Sequence, residues 1–267
     1  MRRAVRKRLL FYGGFLTATL GFYFYQPVRI DLFPRPVPYP NPPVDPDSKD
    51  LFAKGARVTI LTAHPDDAEY YAGALVAKLQ KVGARVSLVV LTDGDKGFYP
   101  WVDAAANRKV RRLEQTSAAH AWGAEQITFL GFRDGRLPEN DETVAAATKA
   151  LAGAEWIVSF DGDYPPKVAH NDHRNAGFIA ERAARAAGAH WLVRFATHAP
   201  NGTFDLSGFD TAQRQFLDAH RSQFTGEKEM KVWGTIFETG TEDGERIGKE
   251  YGLSYRATRL SEAASSS

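Results

Sequence analysis

A chain of 267 residues with 43% hydrophobic content has enough residues to bury a core as one α/β domain. With no cysteine, disulfides and thiolate metal sites are excluded, so any metal must be held by histidine and carboxylate. The net charge of +2 is supplied by Arg2, Arg3, Arg6, Lys7 and Arg8, and the slightly acidic remainder excludes a nucleic-acid partner.

The basic run at 1–8 leads into an uncharged apolar stretch, 9–25. At ~17 residues it is just long enough to span a thin hydrocarbon core. Phe22, Tyr23, Phe24 and Tyr25 form the aromatic cluster of a membrane interface at its exit. Positive charge before the span predicts a cytoplasmic N-terminus and an extracytoplasmic remainder, periplasmic or at the cell surface. A cleaved signal peptide and a buried core helix are the alternatives; no small-x-small site ends the apolar run. The missing cysteines fit an oxidising compartment without requiring one. Pro34, Pro36, Pro38, Pro40, Pro42, Pro43 and Pro46 make 26–50 an extended spacer, because residues without backbone donors build neither helix nor sheet.

From 51 to 260 strand and helix patterns alternate. Strands are predicted at 58–63, 86–92, 127–130, 156–160, 191–197 and 232–237. Helices fall at 71–82, 107–122, 143–151, 175–187 and 210–223. That alternation implies a Rossmann-like, mainly parallel sheet with helices on both faces. The segment 261–267 is a small polar tail, expected to fray.

The chemistry concentrates at two strand-to-helix turns. The first carries His64-Pro65-Asp66-Asp67-Ala68-Glu69. One imidazole and three carboxylates within six residues are easiest to explain if a cation neutralises them. His64 and Asp67, three apart, can face one crevice and suit Zn²⁺ or a similar ion. Asp66 between them can stay free as a base. Capping of the next helix is the plainer use of either Asp. The Gly-x-Gly-x-x-Gly of a dinucleotide site is missing there. The second turn carries His170-Asn171-Asp172-His173, able to supply a ligand, an acid, and a carboxylate that fixes a tautomer. Two such clusters at two strand ends favour one shared metal site.

These motifs resemble the zinc-dependent N-acetylglucosaminyl de-N-acetylases of the PIG-L/LmbE-like family. The resemblance is carried by 63–69 and by His170-x-Asp172-His173. It is also carried by Leu91-Thr92-Asp93-Gly94-Asp95-Lys96-Gly97, by 130–137, by Arg111-x-x-Glu114, and by His220-Arg221-Ser222-Gln223. It covers about 58–223 and implies that His64, Asp67 and His173 bind zinc, Fe²⁺ being compatible as well. It further implies that Asp66 is the general base, that His170 assists as acid or stabilises the oxyanion, and that Asp172 orients His170. Arg111 and Asp134 fall where relatives contact the sugar. The chain departs from the family at 161–169, where many relatives carry an active-site tyrosine in a Gly-rich loop; Tyr164 lies further upstream. His198, His120 and His190 read as rim or structural residues, and His220 has no chemical role in this reading.

The resulting expectation is a membrane-anchored, metal-dependent deacetylase acting on an N-acetylglucosamine-type amino sugar of a glycolipid, glycoconjugate or surface polysaccharide. An amidase for another acylated amine and a catalytically silent carbohydrate-binding protein are the alternatives.

Overall fold

A computed structural model describes residues 48–97, 103–164 and 170–260. The strands β1 (Arg57–Thr62), β2 (Arg85–Thr92) and β4 (Trp156–Phe160) are apolar and buried along almost their whole length. Burial on both faces is what a central parallel strand between two helix layers requires. With β3 (Ile127–Phe132), β5 (Trp191–Phe195), β6 (Gly202–Asp205) and β7 (Gly252–Arg259) they form one seven-stranded sheet in the order β3-β2-β1-β4-β5-β7-β6. The first five pair in parallel, and β7 runs antiparallel between β5 and β6.

Helices α2 (Asp67–Val82), α3 (Ala104–Ala121), α4 (Asp141–Ala150) and α5 (Asn171–Ala186) connect the parallel strands, after the short α1 (Ser48–Leu51). Helices α6 (Asp210–Leu217) and α7 (Gly226–Glu245) lie between β6 and β7. Helix α2 ends at Gly83, whose φ of 81° is the left-handed conformation such a terminus needs. The chain leaves β1 towards β2 on one side and later fills β4 and β5 on the other. The carboxyl ends of β1 and β4 therefore flank the crevice where open α/β sheets bind ligands. Side chains lock that crevice. Thr92 Oγ1 donates to the Ala63 carbonyl at 2.8 Å, and Ser159 Oγ donates to the Leu61 carbonyl at 2.8 Å.

The mixed α/β sandwich matches the pattern expected. One strand does not: 232–237 lies inside α7. Val232, Trp233, Ile236 and Phe237 have strand-like chemistry, but their i, i+4 spacing is helical, and Ile236 packs with Leu217 and Phe224. The antiparallel edge β6–β7 was not expected, because Ser254, Arg256 and Thr258 interrupt the apolar signal between buried Tyr255 and Ala257. No helix among the described residues is long and apolar enough to cross a membrane; the expected anchor at 9–25 and its spacer to 47 lie outside the described residues.

Candidate active site and metal centre

The first turn is strained. Asp66 sits at the N-cap of α2 with φ 99° and ψ −22°, a left-handed conformation that costs a non-glycine residue on the order of 1–3 kcal/mol. Its side chain makes no capping hydrogen bond, so the capping use of this residue fails. Instead α3 grips it. The Arg111 guanidinium donates through Nη2 to Asp66 Oδ2 at 2.9 Å and to the Pro65 carbonyl at 2.5 Å, and through Nη1 to the Gly94 carbonyl at 2.9 Å. Gln115 Oε1 accepts the Asp66 backbone N–H at 2.8 Å. Burial raises the Asp66 carboxyl above its usual range, with the Arg111 charge opposing.

Asp67, one residue on, turns the other way. Its Oδ2 accepts the His64 backbone N–H at 2.7 Å and lies 3.5 Å from His64 Nδ1, while Oδ1 lies 3.2 Å from His173 Nε2. His64 Nδ1 and His173 Nε2 are 3.2 Å apart. Although burial pushes the Asp67 carboxyl up, the His173 and His64 rings outweigh it and hold it far below the usual carboxylate range. His173 comes from α5, its ring stacked on Phe160 at the end of β4 with centroids 4.1 Å apart.

The other edge of His64 faces acid. Nε2 lies 3.2 Å from Asp134 Oδ1 and 3.3 Å from Asp172 Oδ2. Burial pushes the imidazole down, but its hydrogen bonds with Asp134, Asp172 and Asp67 outweigh that and hold it well above the ordinary histidine value. Asp134, on the turn after β3, also accepts the Lys96 N–H at 2.8 Å. Burial is outweighed there by the His64 hydrogen bond, and the carboxyl is held down to about 2. Asp172 accepts the backbone N–H groups of Gly135 at 2.6 Å and Leu137 at 3.1 Å. The two resemblance-implied sugar contacts also bond within the protein, Arg111 at 5% and Asp134 at 4% exposure.

His170 caps α5. Its Nδ1 accepts the Asp172 backbone N–H at 3.2 Å, and its ring stands edge-on to His64 with centroids 5.0 Å apart. Burial and the neighbouring His64 and His173 rings push its pKa down. The Asp172 carboxylate, expected beside His170, lies against His64. Tyr164 packs its ring edge-on to His198, centroids 5.9 Å apart.

The structure thus brings His64, Asp66, Asp67, His170, Asp172 and His173 together, and adds Glu69, Gln115, Trp122 and His220 behind them. Glu69 and His220 stood in recognised motifs, but only the tertiary fold pairs them. Two sets among the described residues have ligand atoms close enough together to hold a divalent ion: His64, His170 and His173, and His64, Asp134 and Asp172.

Residues 59–184 match the PIG-L family, GlcNAc-PI de-N-acetylase. The diacetylchitobiose deacetylase of Thermococcus kodakarensis is 28% identical over 68% of this chain and 75% of its own. A probable N-acetyl-alpha-D-glucosaminyl L-malate deacetylase 2 of Bacillus cereus is 31% identical over 47% of this chain and 60% of its own. Over 59–184 this chain is similar to the PIG-L family. The PIG-L match contains both metal-side turns, Arg111 and Asp134. The solved N,N'-diacetylchitobiose deacetylase of Pyrococcus horikoshii shares this fold, with a TM-score of 0.73 at 24% identity over 79% of this chain and 86% of its own.

Proposed function

We propose that this chain is a Zn²⁺-dependent deacetylase that removes the N-acetyl group from an N-acetylglucosamine-type sugar of a glycolipid, glycoconjugate or surface polysaccharide. The observation that carries the reading is the cluster beside Asp66 in which His64 Nδ1 and His173 Nε2 stand 3.2 Å apart, with Asp67 Oδ2 3.5 Å from the first and Asp67 Oδ1 3.2 Å from the second. Ligands at zinc distances in a tetrahedron stand about 3.3 Å apart, so these three residues fit the ion. His64 Nδ1 is the ligand atom in this reading, because Nε2 faces Asp134 and Asp172, the carboxylate-behind-histidine arrangement that orients a ligating ring. Arg111 and Asp134 act here on Asp66 and His64. Fe²⁺ suits the same donor set, and metal analysis decides between the two.

A divalent ion bound there would supply a Lewis acid for the acetamide carbonyl and for an attacking water. Asp66 takes the proton of that water as its oxygen bonds to the carbonyl carbon. Asp66 then delivers that proton to the nitrogen when the C–N bond breaks, releasing acetate and the free amine. Neutral His170, with Nδ1 occupied as an acceptor, carries its proton on Nε2 and donates that N–H to the developing oxyanion.

The named activities of the T. kodakarensis and B. cereus relatives support an N-acetylated amino sugar as substrate. The basic run, apolar stretch and proline spacer support a membrane tether with the catalytic domain outside the cytoplasm. A reporter fused after Gln26 tests that topology, and a cytoplasmic reporter overturns it.

The catalytic reading is tested by acetate release from N-acetylglucosamine and diacetylchitobiose, with metal analysis. Chelation should abolish turnover and zinc restore it. Asp66→Asn should keep its metal and lose turnover by about 10²–10⁴-fold. Turnover that survives full chelation overturns the metal reading; a fully active Asp66→Asn overturns the base.

A further inference from the structure

Behind Asp66 lies a buried polar chain that reaches the turn only through the Asp66 backbone. Glu69, 1% exposed in the first turn of α2, receives three donors. Gln115 Nε2 at 2.9 Å and Trp122 Nε1 at 2.8 Å both reach Oε1, and His220 Nε2 at 3.0 Å reaches Oε2. Gln115, His220 and Trp122 are 0%, 1% and 3% exposed. An acceptor-only carboxylate among three N–H donors fixes the polarity of all its partners. Gln115 must turn its NH₂ towards Glu69, so its carbonyl oxygen faces the opposite way. There it accepts the Asp66 N–H at 2.8 Å, on the residue held at φ 99°.

We propose that His220, Glu69 and Gln115 form a positioning relay that holds Asp66 in its left-handed conformation and so sets the reach of its carboxylate. The relay ends on the backbone of Asp66 while Arg111 grips its carboxylate, so the residue is clamped from both sides. A buried network serving stability alone has no need to terminate on the one strained residue of the turn. This assigns a role to His220 of the His-Arg-Ser-Gln motif, which lies 151 positions from Glu69 and outside the PIG-L match. The inference rests on Asp66 being the base.

A double-mutant cycle separates positioning from general support. Gln115→Met keeps side-chain length and removes both of its hydrogen bonds. In the otherwise unaltered chain it should lower kcat by about ten- to a hundredfold, the cost of misplacing a reacting group. Metal content should stay full, and KM should change by less than about twofold. In the Asp66→Asn background the same substitution should cost nothing further. Equal losses in both backgrounds, or no loss in either, overturn the relay. A fully active Asp66→Asn instead overturns the base reading, so the two failures are distinct. Should Gln115→Met not fold, Gln115→Asn, too short to reach both partners, enters the same cycle with the same two outcomes. Glu69→Gln, which sets an NH₂ among three donors, should reproduce the loss of kcat; a Glu69→Gln enzyme with unchanged kcat overturns the relay.

Discussion

The turn after β1 and the turn before α5 carry the same residue types, yet they are built on opposite terms. His64 and Asp67 are buried, Asp66 is strained, and side chains from α3 grip the turn from behind. His170 is exposed, has ordinary extended backbone at φ −61° and ψ 135°, and its ring accepts one cap hydrogen bond. The contrast separates two requirements. A base that must meet a water at a fixed point needs rigid support on every side, and strain is tolerated where surrounding structure over-determines it. A donor that follows the substrate's carbonyl as it becomes tetrahedral needs an open side.

The largest expected effect breaks the two turns apart. His173→Ala removes the member of the ligand cluster contributed by α5, and should lose bound metal together with turnover down to the assay limit. His170→Ala, on the same first turn of α5, should keep its metal and lose kcat by about 10²–10³-fold, the cost of one oxyanion donor. Metal analysis of the two purified variants is the check. If His170→Ala also loses the metal, the alternative set His64, His170 and His173 is the real one and the division of labour within α5 falls.

How much of this was legible in the sequence follows the range of the interaction. Strands such as Trp156–Phe160 declare themselves by composition, and the two His/Asp clusters by position at strand ends, because those signals lie within a few residues. What failed is what needs a distant partner. Asp172 stands two residues from His170, and the resemblance implied that pairing. In the first turn of a helix its carboxylate instead meets the backbone of Gly135 and Leu137 and the ring of His64, 108 positions away. The resemblance alone implied sugar contacts for Arg111 and Asp134; that they also hydrogen-bond Asp66 and lie against His64 needed the fold. The edge strand Gly252–Arg259 was silent for a related reason: its polar side chains find partners distant in sequence, Arg256 Nη2 on Asp161 at 2.6 Å and Ser254 Oγ on Asp243 of α7 at 2.5 Å.

The smallest expected effect concerns the rigid half alone and sharpens why it is rigid. Burial by itself would push the His220 imidazole down, but the hydrogen bond and charge of Glu69 outweigh it and raise the pKa above the ordinary value of 6.5. A proton held more tightly by the folded than by the unfolded chain stabilises the fold fully below the unfolded value, and that contribution is lost as pH rises through the folded one. Thermal unfolding followed from pH 6 upward should therefore show a decline in midpoint that begins near the ordinary histidine value. His220→Asn should flatten that decline, because its side chain does not titrate. The neutral ring keeps its Nε2–H on Glu69, so only the charge is lost with pH, whereas the substitution also disturbs the hydrogen bond. The variant should accordingly start from a lower midpoint with a shallower slope, and a slope unchanged by His220→Asn would assign the pH dependence to another group.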